Sequence, residues 1–297
     1  MNFKLHRSQL TRPNKVTTFN ITAFGANQNL PDNTDAVQAA MNAAKLSDTV
    51  YVPLGTFHMD ATRSVRPKSG TKIKIDGSLA ANPNNQVQSS VILLQGVSNV
   101  TVIGPGQIIG ERATHQAPGP ARAGGVLHVM DSTNITVAGG LIMRDAWGDG
   151  LYVQDCKFVI VDGVNCQNNS RNGLSIIAVE TMRVTNSIFT LTNSASPMPQ
   201  AGIDIEPDLP TQAILDLTIT QNRFIKNKGA GCYIAFVQQP NRARVYVVNN
   251  TFDQHYRDGS GPPLGGINTF LGNFLYATCR WIPGYDWWAY KSEYTLS

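Results

Sequence analysis

Two short patterns alternate along most of this chain, at spacings too long for hairpins. One reads glycine, apolar, any residue, apolar. It occurs as Gly150-Leu-Tyr-Val, Gly173-Leu-Ser-Ile, Gly202-Ile-Asp-Ile, Gly231-Cys-Tyr-Ile and Gly266-Ile-Asn-Thr, with starts 23, 29, 29 and 35 residues apart. Gly125-Val-Leu-His-Val, 25 residues before the first, extends the series. The second pattern falls between these: Val102-Ile-Gly, Val137-Ala-Gly, Val161-Asp-Gly, Val184-Thr-Asn, Ile219-Thr-Gln and Val247-Val-Asn. In the last five, another apolar residue or cysteine follows five positions on, at Ile142, Cys166, Phe189, Phe224 and Phe252. Each segment alternates apolar and polar residues, the period of a half-buried strand. Glycine and asparagine stand where the chain must turn, because they tolerate left-handed backbone angles.

Two interleaved strand series sharing one long period describe a solenoid. Short strands from each coil stack in parallel on the next, about 4.8 Å away. The inward Val, Ile, Leu, Phe and Cys side chains then form one continuous core. A β-sandwich would instead favour turn signals every 8–12 residues or so. The front of the chain differs. Asp32-Asn33-Thr34-Asp35 precedes apolar residues at 36, 37, 40, 41 and 44, one face of a helix that Asp32 or Asn33 can cap. A helix here covers the open end of the solenoid, which otherwise exposes apolar surface and unpaired strand edges.

Composition excludes several classes. Charged residues make up 15%, against about 25% in ordinary globular proteins, while apolar content is near normal. That argues against a disordered chain, a coiled coil and a charge-driven nucleic-acid binder. No apolar run is long enough for a membrane-spanning helix. The net charge of +4 resides in residues 1–15, through Lys4, Arg7, Arg12 and Lys15; the rest balances. Residues 1–16 therefore read as a basic, solvated tail. They lack the apolar stretch of a secretory signal. Cys156, Cys166, Cys232 and Cys279 show no metal-ligand spacing, and buried free thiols are expected.

The front segment also carries a family resemblance. Phe24-Gly25-Ala26, Asp35-Ala-Val-Gln-Ala-Ala and Val50-Tyr-Val-Pro-Leu-Gly-Thr-Phe57 resemble the opening of pectate-lyase-like proteins. Further blocks are similar to bacterial members: Gly110-Glu-Arg-Ala-Thr-His115, Asp145-Ala-Trp-Gly-Asp-Gly150, Asn168-Asn-Ser-Arg-Asn-Gly-Leu-Ser175 and Gln200-Ala-Gly-Ile-Asp-Ile-Glu-Pro207. The resemblance spans roughly residues 17–255. It implies an all-β chain folded as a right-handed parallel β-helix, with an N-terminal capping helix. That superfamily includes polygalacturonase-related hydrolases, polysaccharide lyases, alginate epimerases and phage tailspikes. It points to a polysaccharide partner, acidic ones included, to an extracellular or virion-associated setting, and to a monomer or homotrimer. The chain lacks an Asn-Thr-Asp followed by paired aspartates and Gly-His-Gly, the polygalacturonase pattern. It also lacks the Asp-Pro-His of alginate epimerases. Neither activity transfers by motif, since one fold hosts many chemistries. Residues 256–297 leave the repeat and are rich in aromatics, as expected of a C-terminal cap.

Strand alternation locates the candidate chemistry. With Ile203 and Ile205 in the core, Asp204 and Glu206 point away from it on one face. Aligning coils at their glycines puts Tyr152, Ser175, Asp204, Tyr233 and Asn268 in one column, with Gln154, Ile177, Glu206 and Ala235 in the next. Asp149, Arg171-Asn172 and Gln200 precede the glycines. Asp149, Asp204 and Glu206 are thus acid/base candidates in an open groove on the β-helix face, which the loop over 110–124 is expected to line, with Arg171 as charge stabiliser; two carboxyls in different surroundings can divide the roles of glycoside hydrolysis. Tyr152 and Tyr233 can stack on sugars. Glu111, Arg112 and His115, in a Pro/Gly-rich loop over 110–124, and Asp145, Asn168 and Gln200 complete the candidate substrate-binding set. No metal site is evident, although Ca²⁺ held by acids beside Arg171 would suit a β-eliminating lyase. Glycoside hydrolysis is the leading expectation. The alternatives are a lyase, a non-catalytic glycan-binding or attachment module, and a purely structural solenoid.

Overall fold

The computed structural model describes residues 16–116, 125–194, 199–235, 243–253, 267–270 and 275–281. Among them the strands stack into parallel ladders with the expected long period. The first ladder runs through Thr18–Asn20, Thr49–Val52, Lys72–Ile75, Ser98–Ile103, Thr133–Ala138, Lys157–Asp162, Met182–Thr185, Ile214–Thr220 and Ala243–Asp253. The second runs from Thr56–Met59 and Ser78–Ala81 to Ile188–Thr190 and Arg223–Ile225, and joins the first at the long strand Ala243–Asp253. The third contains Ile92–Gln95, Gly125–Met130, Asp149–Gln154, Leu174–Ile176, Ile203–Ile205, Cys232–Ala235 and Ile267–Phe270. Each coil visits the third, first and second ladders in turn, giving the right-handed parallel β-helix.

The register of the two sequence patterns is carried into space. Val102, Val137, Val161, Val184, Ile219 and Val247 are consecutive partners, all buried. Leu151, Leu174, Ile203 and Cys232 are another such row. Phe189, Phe224 and Phe252 stack ring on ring, with centroids 5.5 and 4.7 Å apart. Two assignments shift by one residue. Met143 rather than Ile142 pairs with Cys166 and fills the core, because the turn at Gly139-Gly140 is one residue longer. Gly125 pairs with Asp149, so Val126 stands level with Gly150.

At the front, helix α1 (Thr34–Ala43) buries Val37, Ala40 and Met41 in the common core. The Asp32 carboxylate accepts the Thr34 N–H at 2.9 Å, while Asn33 turns away to the Asn27 N–H. Cys156 and Cys166 are buried free thiols, and Cys232 is buried as well. Strands Ile267–Phe270 and Leu275–Trp281 continue the third and first ladders, so strand pairing runs beyond position 255. The basic tail over 1–15 and the remainder of the aromatic segment lie outside the described residues.

The turn residues divide by physical cause. Gly163, Asn186 and Gln221 follow successive strands of the first ladder, Asn249 takes the corresponding place within the long strand Ala243–Asp253, and all four have φ between 52° and 63°. Asp145, Asn168, Leu191 and Lys226 form a second such column after the second ladder, with φ of 52–59°. These are left-handed corners. The glycines that open the third ladder are different, since none of Gly150, Gly173, Gly202 and Gly231 has positive φ. A Cβ on Gly173 would lie 2.5 Å from the Gly202 carbonyl oxygen, and one on Gly202 2.6 Å from that of Gly231. Close approach of the coils, and not backbone angle, excludes a side chain there.

Buried corner N–H groups are capped by the following coil. Ser187 Oγ accepts from Val164, Asn222 Oδ1 from Ser187, and Asn250 Oδ1 from Asn222, at 2.9–3.1 Å. The amide groups of Asn222 and Asn250 reach back to the carbonyls of Val184 and Ile219. Asn169 and Asn227 do the same at the other corner.

Two stability measurements follow from these causes. Gly173→Ala is expected to cost about 1–3 kcal/mol or more through overpacking, whereas Gly163→Asn, on a column already occupied by Asn186 and Asn249, is expected to be near neutral. Equal losses in denaturant midpoint would contradict the distinction. Asn222→Ala leaves buried polar groups bare and is expected to cost about 1–3 kcal/mol per orphaned group; a midpoint unchanged from the parent would show that the corner does not depend on the amide.

Candidate functional site

The third ladder carries the polar cluster. Ile203 and Ile205 are fully buried in the core, and Asp204 between them faces the other way. Its neighbours in register are Ser175 on one side and Tyr233 on the other, and Ser175 in turn pairs with Tyr152 and Tyr152 with His128. The side is as the alternation predicts, but the exposure is not. Asp204 is 1% exposed and Asp149 0%, so these acids do not stand in an open trough. The cause lies in the pair before Gly173: Arg171 and Asn172 fold back over the ladder and close on them.

Asn172 is the centre of this closure. Its N–H donates to Asp149 Oδ1 at 3.0 Å, and its side-chain NH₂ to Ser175 Oγ at 3.0 Å and Asp204 Oδ2 at 2.9 Å. Its own Oδ1 accepts the Ala201 N–H at 2.9 Å. Arg171 lies among three acids, with guanidinium nitrogens 3.2 Å from Asp149 Oδ2, 3.7 Å from Glu206 Oε2 and 3.9 Å from Asp204 Oδ2. The side chains of Arg171 and Glu206 retain 19% and 25% exposure, so the cluster meets solvent through them. Asp204 Oδ1 is buried and makes no hydrogen bond.

One guanidinium cannot offset three buried or half-buried acids. Burial, reinforced by the Glu206 charge, pushes the Asp204 carboxyl well above the usual aspartate range despite Arg171. Burial also raises Asp149, against Arg171, Ser175 and the Asn172 N–H. Glu206 is raised by burial and by the charges of Asp208 and Asp149, again against Arg171. The Asp149 charge in turn pushes Arg171 further up. Asp204 therefore holds its proton to higher pH than an ordinary aspartate does. The residues do not suit Ca²⁺, because the guanidinium fills the centre that a cation would need. Among the described residues no other group of acids, histidines or cysteines is arranged to hold a metal.

The aromatic members flank the cluster. Tyr152 is nearly buried, donates to Gln154 Oε1 at 2.8 Å and packs against His128, with ring centroids 5.1 Å apart. Burial lowers His128 to about 4, which leaves it neutral near pH 7. Tyr233 is half-exposed and senses the charges of Asp204 and Glu206.

The other candidates have their contacts elsewhere. Arg112 donates to the Asn168 carbonyl at 2.7 Å, to Asn168 Oδ1 and to the Asn193 carbonyl. Asn168 also donates to Asp145, which is paired with Arg144. These residues staple successive coils at the left-handed corner. Gln200 is buried and accepts the Ser194 N–H at 3.4 Å. The loop histidine does not line an open groove: the His115 side chain is fully buried, its Nδ1 2.8 Å from Glu111 Oε1, its ring stacked on Trp147 at 4.1 Å. Residues 117–124 of that loop lie outside the described residues. Asn172, absent from the expected set, was signalled only by its place beside Arg171 ahead of a repeat glycine.

No protein-family model matches the chain, and no curated protein matches it by sequence. Its fold has clear counterparts among solved structures. The family 28 exopolygalacturonase of Yersinia enterocolitica superposes with a TM-score of 0.61 at 12% identity, over 90% of this chain and 64% of that one. The surface adhesin PfbA of Streptococcus pneumoniae does so at 0.63 and 16% identity, over 84% of this chain and 66% of that one. The chain thus spans just under two thirds of each, and at such identities the likeness concerns architecture. On that architecture, and on the coil-by-coil register described above, the chain is folded as a right-handed parallel β-helix.

Proposed function

We propose that this is a carbohydrate-active protein that cleaves a polysaccharide by glycoside hydrolysis at the third ladder. The observation that carries the reading is the contrast between Asp204 and Glu206. Asp204 is enclosed, holds its proton well above the ordinary range and has a carboxyl oxygen without a partner. Glu206, two residues on, reaches solvent beside Arg171. Such a pair divides into a general acid and a general base. Asp204 donates to the leaving oxygen, Glu206 activates water, and Asp149 with Asn172 positions Arg171 and Asp204. Tyr152 and Tyr233 border the sugar. β-Elimination from a uronate is less well served, because it needs a cation free to neutralise the substrate carboxylate, and Arg171 is committed to acids.

The near-complete burial of Asp149 and Asp204 favours a second reading, a binding or attachment module in which the cluster only braces the coils. The fold is compatible with either, since one structural counterpart is an exopolygalacturonase and another an adhesin.

Digestion of a glycan panel separates the readings. Hydrolysis releases reducing ends without the ultraviolet absorbance of an unsaturated uronate, whereas a binding module shows saturable binding and no products. Asp204→Asn and Glu206→Gln are each expected to lower turnover about a hundredfold or more while glycan binding persists. Full turnover in both removes them from the mechanism.

Stability provides an independent check on Asp204. Its folded-state pKa is raised above the unfolded value, so the folded protein retains a proton that the unfolded chain releases as pH rises past the ordinary aspartate range. Its contribution is fully favourable below that range and is lost as pH climbs toward the raised folded value. Asp204→Asn is therefore expected to raise the melting temperature near pH 7 and to confer no gain at about pH 3, below the ordinary aspartate value. A variant no more stable than the parent at neutral pH would show that Asp204 is not held protonated at a cost.

A further inference from the structure

Resting on the hydrolytic reading of the third-ladder site, we infer that the site takes a neutral polysaccharide and rejects uronates. The argument is a charge inventory. Recognition of a uronate carboxylate calls for a guanidinium or ammonium with donors to spare, most often an arginine in bidentate contact. Among the described residues Arg171 is the cation of this site, and Asp149, Glu206 and Asp204 surround it at 3.2, 3.7 and 3.9 Å. Its longest approaches are to Glu206 and Asp204, so any opening it makes to solvent is shared with the Glu206 carboxylate.

The remaining described side chains of the face supply no positive charge. Along the column stand His128, Tyr152, Ser175, Asp204 and Tyr233, and beside it Gln154, Ile177 and Glu206. His128 is neutral in its buried setting. Asp208 adds a further negative charge, felt at both Tyr152 and Glu206. On the adjoining corner the Lys228 ammonium is directed to the Ser194 carbonyl at 2.8 Å. A uronate placed against Glu206 would thus meet like charge without compensation, an arrangement that discriminates strongly between partners. A neutral sugar meets the half-exposed Gln154 amide, Glu206 carboxylate and Tyr233, groups that suit hydroxyl recognition. The Glu206 charge also adds to burial in keeping Asp204 protonated, so the charge that excludes uronates serves the chemistry as well.

The test uses a matched pair of polymers with the same linkage: polygalacturonate and its carboxyl-reduced derivative, in which each uronate has become a neutral hexose. They are assayed with the full chain beside a panel of neutral and acidic glycans, for product release and for saturable binding. The expected result is binding or cleavage of neutral members, with at least a tenfold preference for the reduced polymer wherever that linkage is accepted. Glu206→Gln, which removes the solvent-facing acid beside Arg171, is expected to raise affinity for uronate polymers about tenfold while abolishing cleavage. Cleavage or binding of uronate polymers as well as or better than neutral ones overturns the inference and leaves the hydrolytic reading standing. Absence of binding and products across the whole panel overturns the hydrolytic reading itself, and this inference with it.

Discussion

Every coil of this molecule depends on the next one for the partners of its backbone. In a parallel ladder no strand closes its hydrogen bonds alone, and here the corners obey the same constraint. Ser187, Asn222 and Asn250 each accept a buried N–H from the coil before. The apolar rows are continuous for the same reason, since Val161 has meaning only between Val137 and Val184. Stability is therefore a property of stacking. The site inherits it: Asn172 spans from Asp149 on one coil, through its own coil's Ser175, to Asp204 on the next.

Much of this was legible in the sequence, because stacking imposes a repeat. The Val-x-Gly and Val-x-Asn signals marked left-handed corners such as Gly163, Asn186 and Asn249, and the aromatic row Phe189, Phe224 and Phe252 followed from a fixed offset. The offset failed at Ile142, where Gly139-Gly140 adds one residue to the turn and Met143 takes the core. The repeat glycines were recognised, but their cause was not. Gly173 and Gly202 are demanded by carbonyl oxygens of the neighbouring coil, a distance that no single-coil pattern encodes. Strand alternation likewise gave the side on which Asp204 lies but not its exposure. Burial there depends on how Arg171 and Asn172 fold over the ladder, and those residues precede the strand and have no period of their own.

The corner residues are knit into the scaffold. Arg112, Asp145 and Asn168 stand in the polar blocks that suggested substrate contact. Their hydrogen bonds are nevertheless spent on one another and on nearby carbonyls. His115 is similar: a loop histidine that packs on Trp147 and meets Glu111, fully buried. What distinguishes the Arg171 cluster is its imbalance. Three acids share one cation, one carboxyl oxygen has no partner, and Glu206 and Arg171 reach water.

The hydrogen bonds at the corner between the first and second ladders run in both directions. Val164, Ser187 and Asn222 take side-chain acceptors from the later coil, while the N–H groups of Ile188, Arg223 and Thr251 at the same corner take backbone carbonyls from the earlier one. Removing a coil from either side therefore strands N–H groups on the coil that remains, so each turn is clasped from both directions and neither end of the stack can fray without cost to its neighbour.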